Sequence, residues 1–248
     1  MGAGVGDDFK TTTGRPSGFG EFIALMAMTM SLVALSIDMM LPAFPDMGRD
    51  LGVAQGNDLQ LIISLMFIGL AIGQLFYGPL SDSIGRKPSM HAGFLILLIG
   101  SLVAMFAETF TVMLIGRFLQ GFGVAGPRAV AMALIRDRFQ GSEMARVMSF
   151  IMTIFILVPL LAPALGQGIL LVADWRTIFG VFIVLSIVVQ FWLSIRQPET
   201  LAAENRRPFT LVSIRTGFLE VLRCRPAMSY MFIAGAVFGA FMGYLNSC

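Results

Sequence analysis

The chain contains 248 residues, of which 56% are hydrophobic and 13% are charged, and its mean hydropathy is +0.82. A soluble domain carries about 25% charged residues, so this sequence has too little polar surface for a water-exposed globule. The same hydrophobicity excludes a disordered chain. The net charge of +2 gives no sign of a nucleic-acid-binding protein, and one histidine and two cysteines predict neither a metal site nor a disulfide framework.

Seven apolar runs approach or exceed the roughly 18–20 residues that a helix needs to cross about 30 Å of hydrocarbon. We predict helices, because a lone strand cannot satisfy its backbone in lipid and the runs lack the alternation of a β-barrel. The first run is too long for a signal-peptide core and follows no positively charged region, so it is expected to stay as a span. The runs are residues 22–41, 59–80, 90–107, 110–135, 147–172, 177–195 and 227–247.

Loop length and charge divide the chain into four parts. We predict a cytoplasmic tail over residues 1–21, a six-span bundle over 22–196, a basic linker over 197–226 and a seventh span over 227–248. The sequence stops directly after the seventh run with no polar tail, which we interpret as a truncation; a genuine seven-span protein is the alternative. The fold class is therefore an all-α membrane protein with a six-helix bundle and one further transmembrane helix.

The loop charges predict the topology. If the N-terminus is cytoplasmic, thirteen Lys and Arg residues lie in cytoplasmic segments and only two, Arg49 and Arg176, lie outside. Cationic loops favour the cytoplasmic side, so we expect the N-terminus and the linker to be cytoplasmic. This topology puts Cys224 and Cys248 on opposite sides of the membrane, where they cannot pair.

Three ionisable residues, Asp38, Arg117 and Arg128, lie inside predicted spans, where a charge costs roughly 2.5–3.5 kcal/mol at a helix centre and marks a candidate functional site. Asp38 and Arg117 both lie in the outer third of the membrane, so they can pair if their helices are neighbours. A protonatable Asp with an exchangeable partner suits proton coupling. A static ion pair between two helices is the alternative.

A polar stripe follows the fourth span. Arg117 and Arg128 are eleven residues apart and share one helix face, about 16 Å from each other, and Gln120 and Gly121 lie on or beside that face. Polar and small residues on one face favour a water-filled cavity, so these residues are candidates for its lining. For Arg128, snorkelling to the inner surface is the alternative.

Glycines and prolines at other positions predict the local backbone conformation and helix packing. Between spans two and three, a tight hairpin contains Gly85, which can adopt a positive φ, and a charged turn explains that segment when it is taken alone. Span five contains Pro159 and Pro163, one turn apart, which weaken the helix and allow a bend. Gly69 and Gly73 in span two predict close helix packing.

Together, these segments resemble the major facilitator superfamily, specifically proton-coupled drug exporters of the Bcr/CflA type. Four motifs in register over about residues 20–196 carry the resemblance. In chain order they are Asp38-Met-Met-Leu-Pro42 at the end of span one, Gly78-x-x-x-Asp82-x-x-Gly85-Arg86-Lys87 in the hairpin, Arg117-Phe-Leu-Gln120-Gly121-x-Gly123 in span four, and Ala162-Pro163-Ala-Leu-Gly166 in span five. Ser83, Ala162 and Gln167 depart from the usual patterns.

The resemblance implies two six-span halves, a central cavity between them and alternating access, so a missing C-terminal half is expected to complete the transporter. It implies export of amphipathic drug-like molecules in exchange for protons across the bacterial inner membrane, with the proton gradient as energy source and no cofactor. It gives Asp38 a role in proton or substrate binding, couples Arg117 to it, and lets the hairpin stabilise one access state. Pro159, Pro163 and Gly166 fall in its antiporter motif.

The sequence leaves some other functions open and argues against others. A solute importer or uniporter of the same fold and a non-functional membrane fragment are alternatives. A retinal receptor needs a lysine inside a span, yet Lys10 and Lys87 both lie outside the spans. A membrane hydrolase needs a nucleophile with a base, and the sequence contains no G-x-S-x-G motif, so we predict that the chain is not an enzyme.

Overall fold

The computed structural model describes residues 18–53, 56–206, 208–210, 218–219 and 221–247. Most of the predicted N-terminal tail, parts of the predicted linker and Cys248 lie outside this set. Helices dominate the described part of the chain, which confirms the all-α prediction. In chain order they are α1 Phe19–Asp38, α2 Phe44–Asp50, α3 Gln60–Ile84, α4 Arg86–Met105, α5 Phe110–Arg138, α6 Gly141–Leu170, α7 Trp175–Arg196 and α8 Arg225–Ser247.

Within the described ranges, six helical segments are long and apolar enough to cross a membrane: the stretch Phe19–Asp50, and α3, α4, α5, α6 and α7. These segments match the six spans predicted for the bundle. Helix α8 covers the residues of the predicted seventh span, and its crossing of the membrane stays a prediction.

The first span ends differently from the prediction. Helix α1 stops at Asp38, three residues before the predicted end, and the chain continues as a 3-10 turn over Leu41–Ala43 and then as α2. Pro42 explains the break, because proline lacks the backbone N–H that would continue the hydrogen bonds of α1, whereas Pro45 lies in the first turn of α2, where proline is tolerated. Asp38 is therefore the last residue of its helix rather than a residue inside it.

Helix α5 is the centre of the bundle and packs along both α3 and α4. Glycines make these contacts close: a Cβ atom at Gly69 would overlap the carbonyl of Phe118, and one at Gly121 would overlap the carbonyl of Met66. A Cβ atom at Gly73 would lie 2.6 Å from that of Ala125. The predicted packing role of Gly69 and Gly73 is thus confirmed.

Helix α1 packs mainly on α6, and also on α5 and α7. Polar contacts fasten α1 and α2 to α7 at both ends of the bundle. At one end, which we call the Asp50 end, Asp50 Oδ2 accepts hydrogen bonds from Trp175 Nε1 at 2.8 Å and from Arg176 Nη1 at 3.3 Å. At the other, the hairpin end, the two carboxylate oxygens of Glu21 accept from Nε and Nη2 of Arg196, both at 2.5 Å.

Candidate functional site

Arg117 is the centre of a buried polar cluster. Its side chain is fully buried and donates to three groups: its Nη2 to the carbonyl of Ser36 at 3.0 Å, its Nε to the carbonyl of Ile62 at 3.3 Å, and its Nη1 to Oε1 of Gln120. These acceptors belong to α1, α3 and α5. One guanidinium group therefore ties three helices together inside the bundle, and its five fixed donors suit such a role.

Gln120 extends this cluster to a fourth helix. Its Nε2 donates to the Ser101 hydroxyl on α4 at 2.9 Å, and that hydroxyl donates to the Leu97 carbonyl at 2.7 Å. The ring of Phe179 on α7 lies 6.0 Å from the Arg117 guanidinium. The cluster thus joins five of the six spans. Sequence reasoning found Arg117 and Gln120 but missed Ser36, Ser101 and the Ile62 carbonyl, because nothing in a span pattern shows which carbonyl a buried cation will reach.

The predicted ion pair between Asp38 and Arg117 is wrong. Although α1 and α5 are neighbours, the Arg117 guanidinium binds the carbonyl of Ser36, two residues earlier on α1. A helix turns about 200° over two residues, which takes Asp38 off the face that Ser36 shows to α5. The Asp38 side chain is half-buried, and among the described residues nothing forms an ion pair or hydrogen bond with it.

The other predicted cavity-lining residues have different surroundings. Gly121 is buried in the contact between α5 and α3, where it allows close approach. Gln120 lines a small cavity between α1, α5 and α7. Arg128 is half-buried and makes no ion pair or hydrogen bond within the part of the chain that the structure describes. The stripe therefore runs from a buried cluster at Arg117 to a half-buried cation at Arg128.

The hairpin carries a second polar network. Gly85 joins α3 to α4 with a φ of +107°, a conformation that only glycine adopts easily, as the sequence predicted. Arg86 Nη1 binds Asp82 Oδ1 at 2.6 Å and the Ser81 hydroxyl at 2.7 Å, and Arg86 Nε binds Asp137 Oδ2 on α5 at 3.1 Å. The hairpin motif is therefore an ion-pair network that joins α3, α4 and α5.

Glu199, which sequence reasoning did not single out, completes this network from beyond α7. Its carboxylate accepts the backbone N–H groups of Arg86 at 2.9 Å, of Lys87 at 3.0 Å and of Leu201 at 3.0 Å. The first two are the free N–H groups of the first turn of α4, so Glu199 caps that helix from a distant segment. Lys87 Nζ makes a further contact between α4 and α7 by donating to the Ser194 carbonyl at 2.6 Å.

An open groove lies beside the hairpin, between α3 and α5. Apart from Met132, its walls carry small, polar and charged residues: Gly78, Ser81, Asp82, Arg86, Ala129, Ala133, Arg136 and Asp137.

In span five, Pro159 is exposed and Pro163 half-buried, yet α6 runs unbroken from Gly141 to Leu170. Gly166 is buried, and a Cβ atom there would overlap the carbonyl of Met39, so it sets the contact of α6 with the end of α1.

Comparison with known proteins agrees with this architecture. The sequence profile of the Major Facilitator Superfamily matches residues 26–247. An uncharacterised transporter of this type from Bacillus subtilis, YdgK, is 33% identical over 225 residues, which cover 90% of this chain and 56% of the relative. A bicyclomycin resistance protein homolog from Haemophilus influenzae is 33% identical over 232 residues, covering 91% of this chain and 56% of the relative.

Two further matches extend the comparison. Multidrug resistance protein D from Escherichia coli is 31% identical and covers 79% of this chain and 50% of its own. The crystal structure of the human organic anion transporter MFSD10 superposes with a TM-score of 0.63 and 17% identity, over 80% of this chain and 53% of that one. The chain thus spans about half the length of the relatives that it matches. These relatives are named as transporters or resistance proteins rather than enzymes, and the chain belongs to the Major Facilitator Superfamily.

Proposed function

We propose that this chain supplies the N-terminal half of a proton-coupled exporter of amphipathic, drug-like molecules in a bacterial inner membrane. The names of two relatives, a bicyclomycin resistance protein homolog and multidrug resistance protein D, support the substrate class. The chain spans about half of each relative, so the exporter also needs a second half. The proton gradient supplies the energy, and no cofactor is needed.

The observation that carries this proposal is the isolated carboxylate of Asp38. It lies at the end of α1 inside the candidate span Phe19–Asp50, half-buried and without an ion-pair partner among the residues described. A charged carboxylate at such a position is costly, so gaining or losing a proton changes the free energy of this end of α1. Because the carbonyl of Ser36 binds Arg117, movement of this helix end would also disturb the buried cluster.

The hairpin network would hold one access state of this exporter. The Asp82–Arg86–Asp137 ion pairs and the Glu199 cap fix the ends of α3, α4 and α5 relative to one another. The open groove between α3 and α5 lies beside them. In this proposal the second half of the transporter packs against that groove in one state and leaves it in the other.

The test uses the complete transporter in proton-tight vesicles, with efflux of a fluorescent cationic amphiphile as readout. Asp38→Asn should abolish efflux driven by a pH gradient but retain substrate counterflow in the absence of a gradient. Asp46→Asn is the matched control, since Asp46 lies in α2 at the same end and its ion-pair partner among the described residues is exposed Arg49. Normal pH-driven efflux by a folded Asp38→Asn protein would overturn the proposal, and uptake along the gradient would favour an importer or uniporter.

We also propose that the hairpin end faces the cytoplasm, on the basis of the loop charges. Cys224 is exposed and follows α7, so in a Cys248→Ser background a membrane-impermeant maleimide should label it only after permeabilisation. Arg49→Cys, introduced in a Cys-free background, is the matched control at the other end, where the Arg49 side chain is 77% exposed. It should be labelled in intact cells, and labelling of Cys224 instead would reverse the topology.

A further inference from the structure

Arg128 lies deep inside α5, ten residues before that helix ends at Arg138, which is about 15 Å along the axis. Its side chain is half-buried, and in the part of the chain that the structure describes it forms no ion pair or hydrogen bond. A charge at that depth in a span costs free energy unless a partner or a water-filled cavity accommodates it. Because the described residues supply no partner, the surroundings of Arg128 decide its role.

The face of α5 that carries Arg128 is directed at the seam between α1 and α3. Arg117, eleven residues earlier and about 20° away around the helix, donates from that face to the Ser36 carbonyl on α1 and to the Ile62 carbonyl on α3. The Arg117 guanidinium therefore closes the seam by binding both walls. Arg128 lies on the same face, about 16 Å nearer the hairpin end, and binds neither wall.

The open groove between α3 and α5 leads from the hairpin end to Arg128. Of its wall residues on α5, Ala129 lies furthest from the hairpin end, and Arg128 is the next residue inward. Met132 and Arg136, which also line the groove, follow Arg128 at one-turn spacing, so the three residues form a row along one side of α5. The groove has a volume of about 310 Å³, within the range of pockets that hold small molecules.

The charges of the groove favour an anion at its inner end. The four charged residues of its wall, Asp82, Arg86, Arg136 and Asp137, cancel in sum, and Arg86 pairs with both aspartates. Arg128 adds a positive charge that nothing in the described ranges neutralises. A guanidinium presents its N–H donors in a plane that matches a carboxylate or phosphate group, so an acidic group is its complementary partner.

The apolar part of the wall indicates an amphipathic anion rather than an inorganic one. Met132, Ala129 and Ala133 give the groove an apolar surface beside Arg128, and methionine adapts to ligands of different shape. We infer that Arg128 binds the acidic head group of an amphipathic solute whose apolar part lies on Met132, with Arg136 nearer the mouth of the groove. The inference rests on the proposed function: it extends the substrates of the exporter to anionic amphiphiles, which enter while the second half is away from the groove.

Equilibrium dialysis of the purified chain in a non-ionic detergent tests this site, with octanoate and octylammonium as probes of equal length and opposite charge. The wild type should bind octanoate about tenfold more tightly than octylammonium, since a hydrogen bond to a charged group contributes about this factor. Arg128→Gln should remove the preference, and Arg128→Lys should keep most of it. Arg146→Gln is the matched control and should keep it in full, because it removes an exposed arginine of α6 at the same end of the bundle, outside the groove.

Circular dichroism confirms the helical fold of each variant, and the two probes on the wild type decide the question if Arg128→Gln does not fold. Equal binding of both probes by the wild type, an unchanged preference in folded Arg128→Gln, or the same loss in Arg146→Gln would each overturn the site. Displacement of octanoate by phosphatidylglycerol would assign the groove to a lipid headgroup and overturn it as well. The cationic amphiphile of the efflux test does not report on Arg128, so failure of the proposed function and failure of this site are separate results.

Discussion

Replacing Glu199 by alanine tests whether the segment after α7 stabilises the bundle. The substitution removes the acceptor of two N–H groups at the start of α4, those of Arg86 and Lys87. Losing a helix cap costs about 0.5–2 kcal/mol, and an unpaired buried N–H costs about 1–3 kcal/mol. The site is half-buried, so water replaces part of the loss, and we expect about 2 kcal/mol in total.

Thermal unfolding of the detergent-solubilised chain, followed by circular dichroism, measures this loss. A change of about 2 kcal/mol lowers the Tm of a chain of this size by roughly 4–8 °C. Glu204→Ala is the matched control, because Glu204 is an exposed acidic residue in the same segment, and its Tm should equal that of the wild type. If Glu199→Ala and Glu204→Ala unfold at the same temperature, the cap contributes nothing to stability and the reasoning fails.

A double-mutant cycle with Gly85 separates the cap from other effects of Glu199. Alanine at Gly85 is strained by the φ of +107°, and its Cβ atom would lie 2.7 Å from Oε2 of Glu199. Part of the stability that Gly85→Ala loses should therefore come from displacing Glu199. Gly85→Ala should then cost less in the Glu199→Ala background than in the wild type, whereas strictly additive losses would show that the two positions act independently.

Three further predictions concern the bundle and are read from thermal unfolding. Gly121→Ala should destabilise the chain by about 1–3 kcal/mol through overlap with the Met66 carbonyl. Gly168→Ala is the control and should be neutral, because that site has open space around it. Equal Tm values for the two variants would contradict the close packing. Arg117→Lys should unfold at a lower temperature than the wild type, because one ammonium group cannot donate in the directions of Ser36, Ile62 and Gln120 at once. A wild-type Tm would refute this. Asp174→Ala should lower the free energy of unfolding by about 1 kcal/mol, since Asp174 caps α7 by accepting the Thr177 N–H at 3.1 Å. Asp174→Asn can still cap the helix and should lower it less.

The spans could be predicted from the sequence because membrane insertion depends on length and apolar composition, which one run shows by itself. The helix ends were less certain. Pro42 could have indicated that α1 stops near Asp38, but the predicted span continued past Asp38 to residue 41 because the residues between Asp38 and Pro42 are apolar. Helix α6 begins at Gly141, six residues before its predicted start, because its first turns are polar and lie outside an apolar window.

The polar contacts could not be predicted in the same way. Asp82 and Arg86 are four residues apart in the hairpin motif and pair across the break at Gly85, but from the sequence this segment was explained only as a charged turn. Arg117 was recognised as a buried cation, but a free carboxylate was chosen for it over the carbonyl of Ser36, which no side-chain pattern shows. Glu199 was missed because its partners, the backbone N–H groups of Arg86 and Lys87, lie more than a hundred residues earlier in the chain.

The two contacts that fasten α1 and α2 to α7 have a consequence for the order of assembly during translation. Glu21 binds Arg196, 175 residues later, and Asp50 binds Trp175, 125 residues later. The first helices to leave the ribosome therefore wait for the sixth span before either acid finds its partner. A nascent chain arrested before residue 175 holds both carboxylates without these partners, so these two contacts form only after α7 emerges and closes the bundle.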